Sequence, residues 1–339
     1  MVQSGISSIL LIKPGAMGDL LHLTPTIRGL RKRFPNARID IMVGNAASID
    51  LFRHHPDITN VLVYNRLDEH RSLKALLALW QQIRSNSYNL VINFQRSNLK
   101  TWFLASAALP CKILVYNKTR KPVIHAVFDH LKTVEPLGII SEADGLDLYI
   151  TEEHRRFAVA LFEASGVNKR RIVAFNPGAS NLIKCWSTAQ FAALGNRLVD
   201  EIGAEVVIVG GWLERNLAKE ISAGMNHKPI NLVEKTSMLQ LGAVLSMCSL
   251  LVSGDTGPMH MATAVGTPVV ALFGAIDPRR TGPVGNGHII ISHPEVACVH
   301  CKANKCDNPN YLECMELITV DEVFETVRTM LDSREQNPS

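Results

Sequence analysis

The chain has 339 residues, of which 47% are hydrophobic and 19% are charged. This composition is typical of a folded globular protein, and the length suits two domains better than one. The apolar runs are far shorter than the roughly 20 residues that a bilayer crossing needs. No signal peptide is recognisable at the N-terminus. These features argue against a membrane-spanning or secreted protein, and we expect a cytoplasmic one.

Charge is distributed unevenly between the two halves. Residues 1–165 carry 20 Lys and Arg against 14 Asp and Glu, whereas residues 166–339 carry 15 against 17. The excess lies in residues 60–132, with 11 basic and 3 acidic side chains. This pattern indicates an anionic partner, although a solvated face would produce the same count. Because aromatic residues are only 6% and no nucleic-acid-binding motif is visible, an anionic lipid or phosphorylated glycan fits better than nucleic acid.

Short apolar runs alternate with helical periodicity, which predicts two α/β domains with parallel sheets. The first half has predicted strands at 8–12, 38–43, 61–64, 90–94 and 112–115 and helices at 20–34, 72–85, 99–109 and 151–165. After a basic linker the pattern restarts, with strands at 172–175, 206–209, 250–253 and 269–273 and helices at 188–202, 214–225, 238–247, 259–265 and 320–331. We therefore expect domains at 1–165 and 166–319, followed by a C-terminal helix within 320–339.

The loop after the first predicted strand reads Lys-Pro-Gly-Ala-Met-Gly-Asp and ends in Asp19. It lacks the G-x-G-x-x-G spacing of a dinucleotide site and the Gly-Lys-Ser/Thr ending of a P-loop. Neither a Rossmann dehydrogenase nor a P-loop kinase is therefore favoured. Taken alone, Asp19 is explained equally well as an acid that complements the positive end of a helix.

Two later loops have features of a nucleotide site. The run Asn-Pro-Gly-Ala-Ser at 176–180, followed by Lys184, offers amides, a hydroxyl and a cation to a phosphate. Paired glycines at 210–211 precede Glu214, whose acceptor-only carboxylate suits a ribose diol. Each loop also has an ordinary structural explanation, as a surface loop or as a dipole-complementing acid.

The most informative motif is Ser-Gly-Asp-Thr-Gly-Pro-Met-His at 253–260. The proline suits the first turn of a helix, and the amides of Thr256 and Gly257 would face an incoming anion. Asp255 and His260 should lie close together, because His260 is one turn into that helix. A purely structural turn would not need this combination of side chains.

Together these motifs resemble glycosyltransferase family 9, the ADP-heptose:lipopolysaccharide heptosyltransferases. The resemblance extends from residue 9 to about residue 330 and rests on four motifs in order: Gly18-Asp19-x-x-His22-x-x-Pro25, Asn176-Pro177-Gly178-Ala179 with Lys184-x-Trp186, Gly210-Gly211 with Glu214, and Asp255-Thr256-Gly257-x-x-His260. It implies a GT-B fold, in which two Rossmann-like, doubly wound parallel-sheet domains face an interdomain cleft. In that fold the acceptor binds the N-terminal domain, the nucleotide-sugar binds the C-terminal domain, and the last helix commonly returns to the N-terminal domain.

The same resemblance implies an inverting transfer of heptose from ADP-heptose, with Asp19 as general base. Lys184, Ser180 and the amides of Thr256 and Gly257 would hold the departing diphosphate. Glu214 would bind the ribose, and Asp255 would bind sugar hydroxyls with His260 alongside. No metal cofactor is expected for catalysis, because the sequence contains no Asp-x-Asp pair of the kind that holds Mg²⁺ in metal-dependent glycosyltransferases.

The implied acceptor is the anionic, Kdo-bearing lipid A core, reached by peripheral contact with the cytoplasmic face of the inner membrane. The candidate acceptor residues are Gly18, His22, Arg96, Lys100 and Arg120. Further basic residues of the same half that fit an anionic acceptor are Arg66, Arg71, Lys118 and Lys121.

A cysteine cluster follows the donor motifs. Cys298, Cys301, Cys306 and Cys314 have the spacing C-x₂-C-x₄-C-x₇-C, which could form a tetrahedral structural site for zinc or iron. Some similar heptosyltransferases, which modify autotransporters, bind iron through four cysteines with a different spacing. Free thiols and disulfides remain alternatives at this point.

Other functions remain compatible with the sequence alone. A nucleotide-sugar 2-epimerase of GT-B architecture would release sugar without a lipid acceptor. A binding protein without activity is a further alternative, but the presence of Asp19, Lys184 and Asp255 together argues against it. A heptosyltransferase could also act on a protein serine, although the basic N-terminal half favours an anionic acceptor.

Overall fold

The computed structural model describes residues 5–65, 68–95, 99–140, 144–167, 171–301, 303 and 305–336. The chain divides into two compact units, residues 1–149 and 150–339. Each unit contains one parallel sheet, in agreement with the fold class predicted from the sequence. Among the described residues, no helix is both long and apolar enough to cross a membrane.

The first unit contains a five-stranded sheet in the order β3-β2-β1-β4-β5. Its strands are β1 (Ser8–Ile12), β2 (Arg38–Val43), β3 (Asn60–Val63), β4 (Leu90–Asn93) and β5 (Lys112–Val115). Its helices are α1 (Met17–Leu21), α2 (Thr24–Arg33), α3 (Asp50–Arg53), α4 (Leu73–Ser85), α5 (Leu99–Ser106) and α6 (Ala126–Val134). All five residues of β1 are buried, because this central strand pairs in parallel with β2 on one side and β4 on the other.

The single helix expected at 20–34 is in fact two helices, α1 and α2. Pro25 lies in the first turn of α2 and has no amide hydrogen to donate to the carbonyl of Leu21. The hydroxyl of Thr24 donates to that carbonyl instead, at 2.8 Å. The break separates the short helix that carries Asp19 from the longer α2.

The second unit contains a six-stranded sheet in the order β11-β10-β9-β6-β7-β8. Its strands are β6 (Ile172–Asn176), β7 (Glu205–Ile208), β8 (Ile230–Asn231), β9 (Leu250–Gly254), β10 (Val269–Leu272) and β11 (Ile289–Ile291). Its helices are α7 (Glu152–Ser165), α8 (Thr188–Ile202), α9 (Arg215–Gly224), α10 (Met238–Ser246), α11 (Gly257–Ala264), α12 (Pro278–Thr281), α13 (Glu313–Glu316) and α14 (Val320–Gln336). The short edge strands β8 and β11 were not among the predicted elements.

Helix α7 belongs to the second unit, whereas the sequence analysis placed it at the end of the first domain. The helix packs against α10, and its buried side chains include Ala158 and Phe162. These two residues are four positions apart and therefore share one face of the helix. The division between the units consequently falls before α7, at residues 149–150, and not at 165–166.

Helix α14 packs on α8 and β10 within the second unit, and its expected return to the N-terminal domain stays a prediction. Its apolar stripe consists of Val323, Phe324, Val327 and Leu331, and all four side chains are buried in the core of that unit. Arg197 of α8 covers the ring of Phe324, with its guanidinium carbon 3.9 Å from the ring centroid. The apolar stripe of α14 is therefore part of the core of the second unit.

Candidate functional site

The predicted site residues lie where each parallel sheet reverses its strand order. The order reverses between β1 and β4 in the first sheet and between β6 and β9 in the second. Open parallel sheets bind ligands beyond the carboxyl ends of the strands at such a reversal. Asp19 follows β1, Lys184 follows β6 and Asp255 follows β9.

In the first unit, Asp19 lies in the first turn of α1, and its side chain is 52% exposed. Lys13 comes directly after β1, and its side chain is only 7% exposed. The ammonium Nζ lies 3.8 Å from Oδ1 of Asp19. Burial lowers the pKa of Lys13, and the Asp19 carboxylate partly opposes that shift. The candidate base therefore has a buried cationic neighbour that the sequence analysis did not single out.

His130 of α6 contacts Lys13 from the other side. Its Nε2 lies 3.3 Å from Nζ of Lys13, and its Nδ1 lies 3.3 Å from the carbonyl oxygen of His22. Because a carbonyl can only accept, Nδ1 carries the hydrogen and Nε2 accepts from the lysine. Burial, followed by the charge of Lys13, lowers the pKa of His130 to about 3. This histidine is consequently neutral, and only the tertiary structure brings it to the site.

The predicted acceptor residues have different environments. The side chain of His22 is buried and packs edge-on against His125, with ring centroids 5.2 Å apart. Gly18 lies within α1, next to Asp19. Lys100 and Arg120 are exposed. Arg96 lies outside the described residues, and the acceptor role of this group stays a prediction.

In the second unit, Lys184 and Asp255 form an ion pair, with Nζ 2.8 Å from Oδ2. Lys184 ends a short 3₁₀ turn, Leu182–Lys184, in which the side chain of Asn181 accepts from the amide of Ile183. Asp255 directly follows β9, and Nε2 of the buried His260 lies 4.0 Å from its Oδ1. The sequence motifs predicted that Asp255 and His260 would be neighbours, and the structure confirms it. It also adds Lys184 to the same cluster.

A buried asparagine, Asn176 at the end of β6, connects the loops around this ion pair. Its Oδ1 accepts hydrogen bonds from Thr256 Oγ1 at 3.0 Å and from Ser253 Oγ at 3.3 Å. Its Nδ2 donates to the carbonyl of Val209 at the end of β7. Thr256 is also the N-cap of α11 and accepts from the amide of Met259. Asn176 therefore holds the ends of three strands in register around the N-terminus of α11.

Glu214 folds back over the glycines of its own loop and of the loop after β6. Its Oε2 accepts from the amide of Gly211 at 2.7 Å. A Cβ atom added at Gly178 would overlap the carboxylate of Glu214. A side chain at position 178 would therefore displace the Glu214 carboxylate. Ser180 lies in the same loop and is exposed.

All seven cysteines are free thiols. The predicted metal-binding cysteines line one cavity of about 330 Å³ together with Ile183 of the donor loop. Two of their sulfurs accept hydrogen bonds, Cys298 from Asn308 Nδ2 at 3.2 Å and Cys306 from the amide of Leu312 at 3.3 Å. Within the described part of the chain, no group of three or more His, Cys, Asp or Glu side chains is arranged to hold a metal ion. The structural metal therefore stays a prediction.

Comparisons with known proteins agree with this architecture. Residues 76–312 match the family model of glycosyltransferase family 9 (heptosyltransferase). The chain is 30% identical to lipopolysaccharide heptosyltransferase 3 of Escherichia coli strain K12 over 283 residues, 77% of this chain and 80% of that protein. It is 25% identical to the lipopolysaccharide core heptosyltransferase OpsX of Haemophilus influenzae over 301 residues, 84% of each chain.

Solved structures show the same fold. The glycosyl transferase family 9 protein of Veillonella parvula DSM 2008 superposes with a TM-score of 0.86 at 23% identity, covering 98% of this chain and 99% of that one. The ADP-heptose lipopolysaccharide heptosyltransferase II of E. coli superposes with a TM-score of 0.78 at 21% identity, covering 97% and 99%. The two parallel-sheet units are thus those of a GT-B glycosyltransferase. The family match over most of the chain shows that it belongs to glycosyltransferase family 9.

Proposed function

We propose that this glycosyltransferase moves heptose from ADP-heptose to the Kdo- or heptose-bearing inner core of lipid A, with inversion at the anomeric carbon. The proposed donor, ADP-heptose, is supported by the Lys184–Asp255 ion pair. This pair lies beside the N-terminus of α11, at the strand-order reversal of the second sheet. Such a position suits a diphosphate. Relatives named lipopolysaccharide heptosyltransferases, and a neighbouring structure of E. coli WaaC solved with ADP, support this choice of donor and acceptor.

In the proposed reaction, Asp19 takes the proton of the acceptor hydroxyl as the hydroxyl oxygen bonds to the anomeric carbon. The bond between that carbon and the β-phosphate oxygen breaks, and ADP leaves with the bonding electron pair. The ammonium of Lys184 has three hydrogens, only one of which is needed for Asp255. The others, with Ser180 and the amides of Thr256 and Gly257, would stabilise the departing diphosphate.

Three further roles complete the proposal. Glu214 would bind the ribose, and Asp255 with His260 would contact the sugar. Positive charge for the leaving group comes from Lys184 and a helix N-terminus, so catalysis needs no metal ion. The basic first unit would hold an anionic acceptor at the cytoplasmic face of the inner membrane, as a peripheral protein.

The test is transfer from ADP-heptose to Kdo-lipid A in the presence of EDTA, with ADP release and acceptor mass followed together. We expect one added heptose per acceptor for the wild type and a loss of roughly 100-fold or more in kcat for Asp19→Ala. Asp50→Ala is the matched control, because Asp50 is also an acid in the first turn of a helix in this unit. The anomeric configuration of the product, read by NMR, tests inversion.

The possible results separate the alternatives. ADP binding by titration without any transfer would count against this acceptor. Release of free sugar or an epimer without an acceptor would favour the epimerase reaction. Transfer to a protein serine and not to the lipid would show that the acceptor is a protein. Activity that EDTA eliminates would overturn the metal-independent scheme.

A structural zinc or iron at the cysteine cluster is a separate proposal, and it requires the four thiols to rearrange around the ion. About one metal ion per chain by elemental analysis, absent from the Cys298→Ser variant, would support it. A metal-free chain with four reactive thiols in this segment would reject it.

A further inference from the structure

The buried cluster beside Asp19 contains a lysine to which neither the motifs nor the comparisons assign a role. Lys13 is nearly inaccessible, with 7% of its side chain exposed, whereas the carboxylate it faces is about half exposed. The lysine is therefore poorly placed to touch a large acceptor directly. Any effect on the reaction has to pass through Asp19.

The contacts of Lys13 hold it in one orientation. His130 is locked with its hydrogen on Nδ1 by the carbonyl of His22, so its Nε2 accepts from the lysine at 3.3 Å. The Nζ atom also lies 5.8 Å from the centroid of the Tyr116 ring, within the range of a cation–π contact. These partners direct the ammonium towards Asp19.

The glycine at position 15 leaves room for this arrangement. A Cβ atom at Gly15 would lie 3.0 Å from Cβ of Asp19, 3.1 Å from its Oδ2 and 3.4 Å from Cε of Lys13. The side chains of Lys13 and Asp19 thus both pack against a position that has no side chain. A purely structural lysine would not need the base to be packed so closely.

We propose that Lys13 is a positioning residue for the Asp19 base, held in place by His130, and that it fixes the orientation of the carboxylate. This inference rests on the proposed role of Asp19. The ammonium attracts one oxygen of the half-exposed carboxylate at 3.8 Å and so restricts the rotation of that side chain. The other charged or titratable groups around the pair are His130, Tyr116, Lys118 and Asp129.

The experiment compares the wild type with Lys13→Met over the pH range of transferase activity. We expect kcat to fall roughly 100-fold, since misplacing a catalytic group by about 1 Å has an effect of this size. The KM values for donor and acceptor should change little, because the lysine is buried. Lys132→Met, which removes an exposed lysine from the same helix as His130, is the matched control.

Two further variants keep the result interpretable. Lys13→Gln removes the charge but can still donate to His130, so it replaces the Met variant if that chain does not fold. In an Asp19→Asn background, Lys13→Met should cause no additional loss, because the two residues act as one unit. Additive losses, or a loss of activity that comes only from higher KM values, would overturn the proposal.

A separate measurement distinguishes failure of the proposed transferase function from failure of the positioning role of Lys13. If the wild type shows no transfer to any acceptor, the mobility of the Asp19 side chain can be measured by ¹³C NMR relaxation in the wild type and in Lys13→Gln. A more mobile Asp19 side chain in the variant would support the positioning role without turnover. Unchanged mobility would reject it even if the transferase function stands.

Discussion

Lys184 is the residue whose role is best defined by its contacts in the second unit. Its side chain is 19% exposed and its ammonium is oriented by Asp255, so it combines a fixed position with access to a ligand. We expect Lys184→Met to lower kcat/KM roughly 100-fold, as the loss of a preorganised charge at a leaving group does. Steady-state kinetics with ADP-heptose measures this. Lys219→Met, an exposed lysine on α9, should remain at the wild-type value.

Gly178 allows a second residue-level prediction, because its missing side chain makes room for the Glu214 carboxylate. Gly178→Ala should displace that carboxylate and weaken ADP binding about tenfold, the equivalent of one charged hydrogen bond. Calorimetric titration with ADP gives the dissociation constant. Gly145→Ala, at a position with no atom within 4 Å of the added methyl, is the control. Equal affinity in both variants would show that Glu214 does not bind the nucleotide.

Among the elements, α14 has the clearest energetic role. Phe324 is fully buried between α8 and the sheet of the second unit and is covered by Arg197. Phe324→Ala should lower the free energy of unfolding by about 3–5 kcal/mol, from lost burial and the cavity left behind. Urea denaturation measures this change. Thr329→Ala, on the exposed face of the same helix, should change it by less than about 0.5 kcal/mol.

At the scale of the whole molecule, buried neutral histidines make stability depend on pH. Burial lowers the pKa of His55 from 6.5 to about 4, and its Nδ1 accepts from the amide of Asp57 at 3.1 Å. Above pH 6.5 neither the folded nor the unfolded state carries this proton. Below it, the unfolded state binds a proton that the folded state excludes until about pH 4, so stability falls as the pH falls.

The expected loss from His55 is about 2 kcal/mol between pH 7 and pH 5, with a similar contribution from His130. Urea unfolding at the two pH values should show a smaller loss in His55→Gln than in the wild type. His54→Gln, an exposed neighbour, is the control and should reproduce the wild-type difference. A wild-type stability that is constant over this range would contradict neutral burial.

Much of the architecture follows from local pattern. Central strands such as β1 and β9 are continuous apolar runs, and α8 has a Ser187 cap and an apolar stripe, so the sequence by itself determined them. The loops carrying Asp19, Lys184 and Asp255 could be found in the same way. Each directly follows a predicted strand and contains glycine.

Only the tertiary structure decided the rest, because it depends on contacts between residues far apart in the chain. Lys13 and His130 are 117 positions apart, and Lys184 and Asp255 are 71 apart. The edge strands β8 and β11 are short and acquire their structure by pairing with β7 and β10. The amphipathic faces of α7 and α14 predict that one side of each helix is buried, but not which element covers it. Hydrophobic periodicity identifies the apolar face of a helix and says nothing about its packing partner. Only the structure shows that α7 packs on α10 and that α14 packs on α8 and β10.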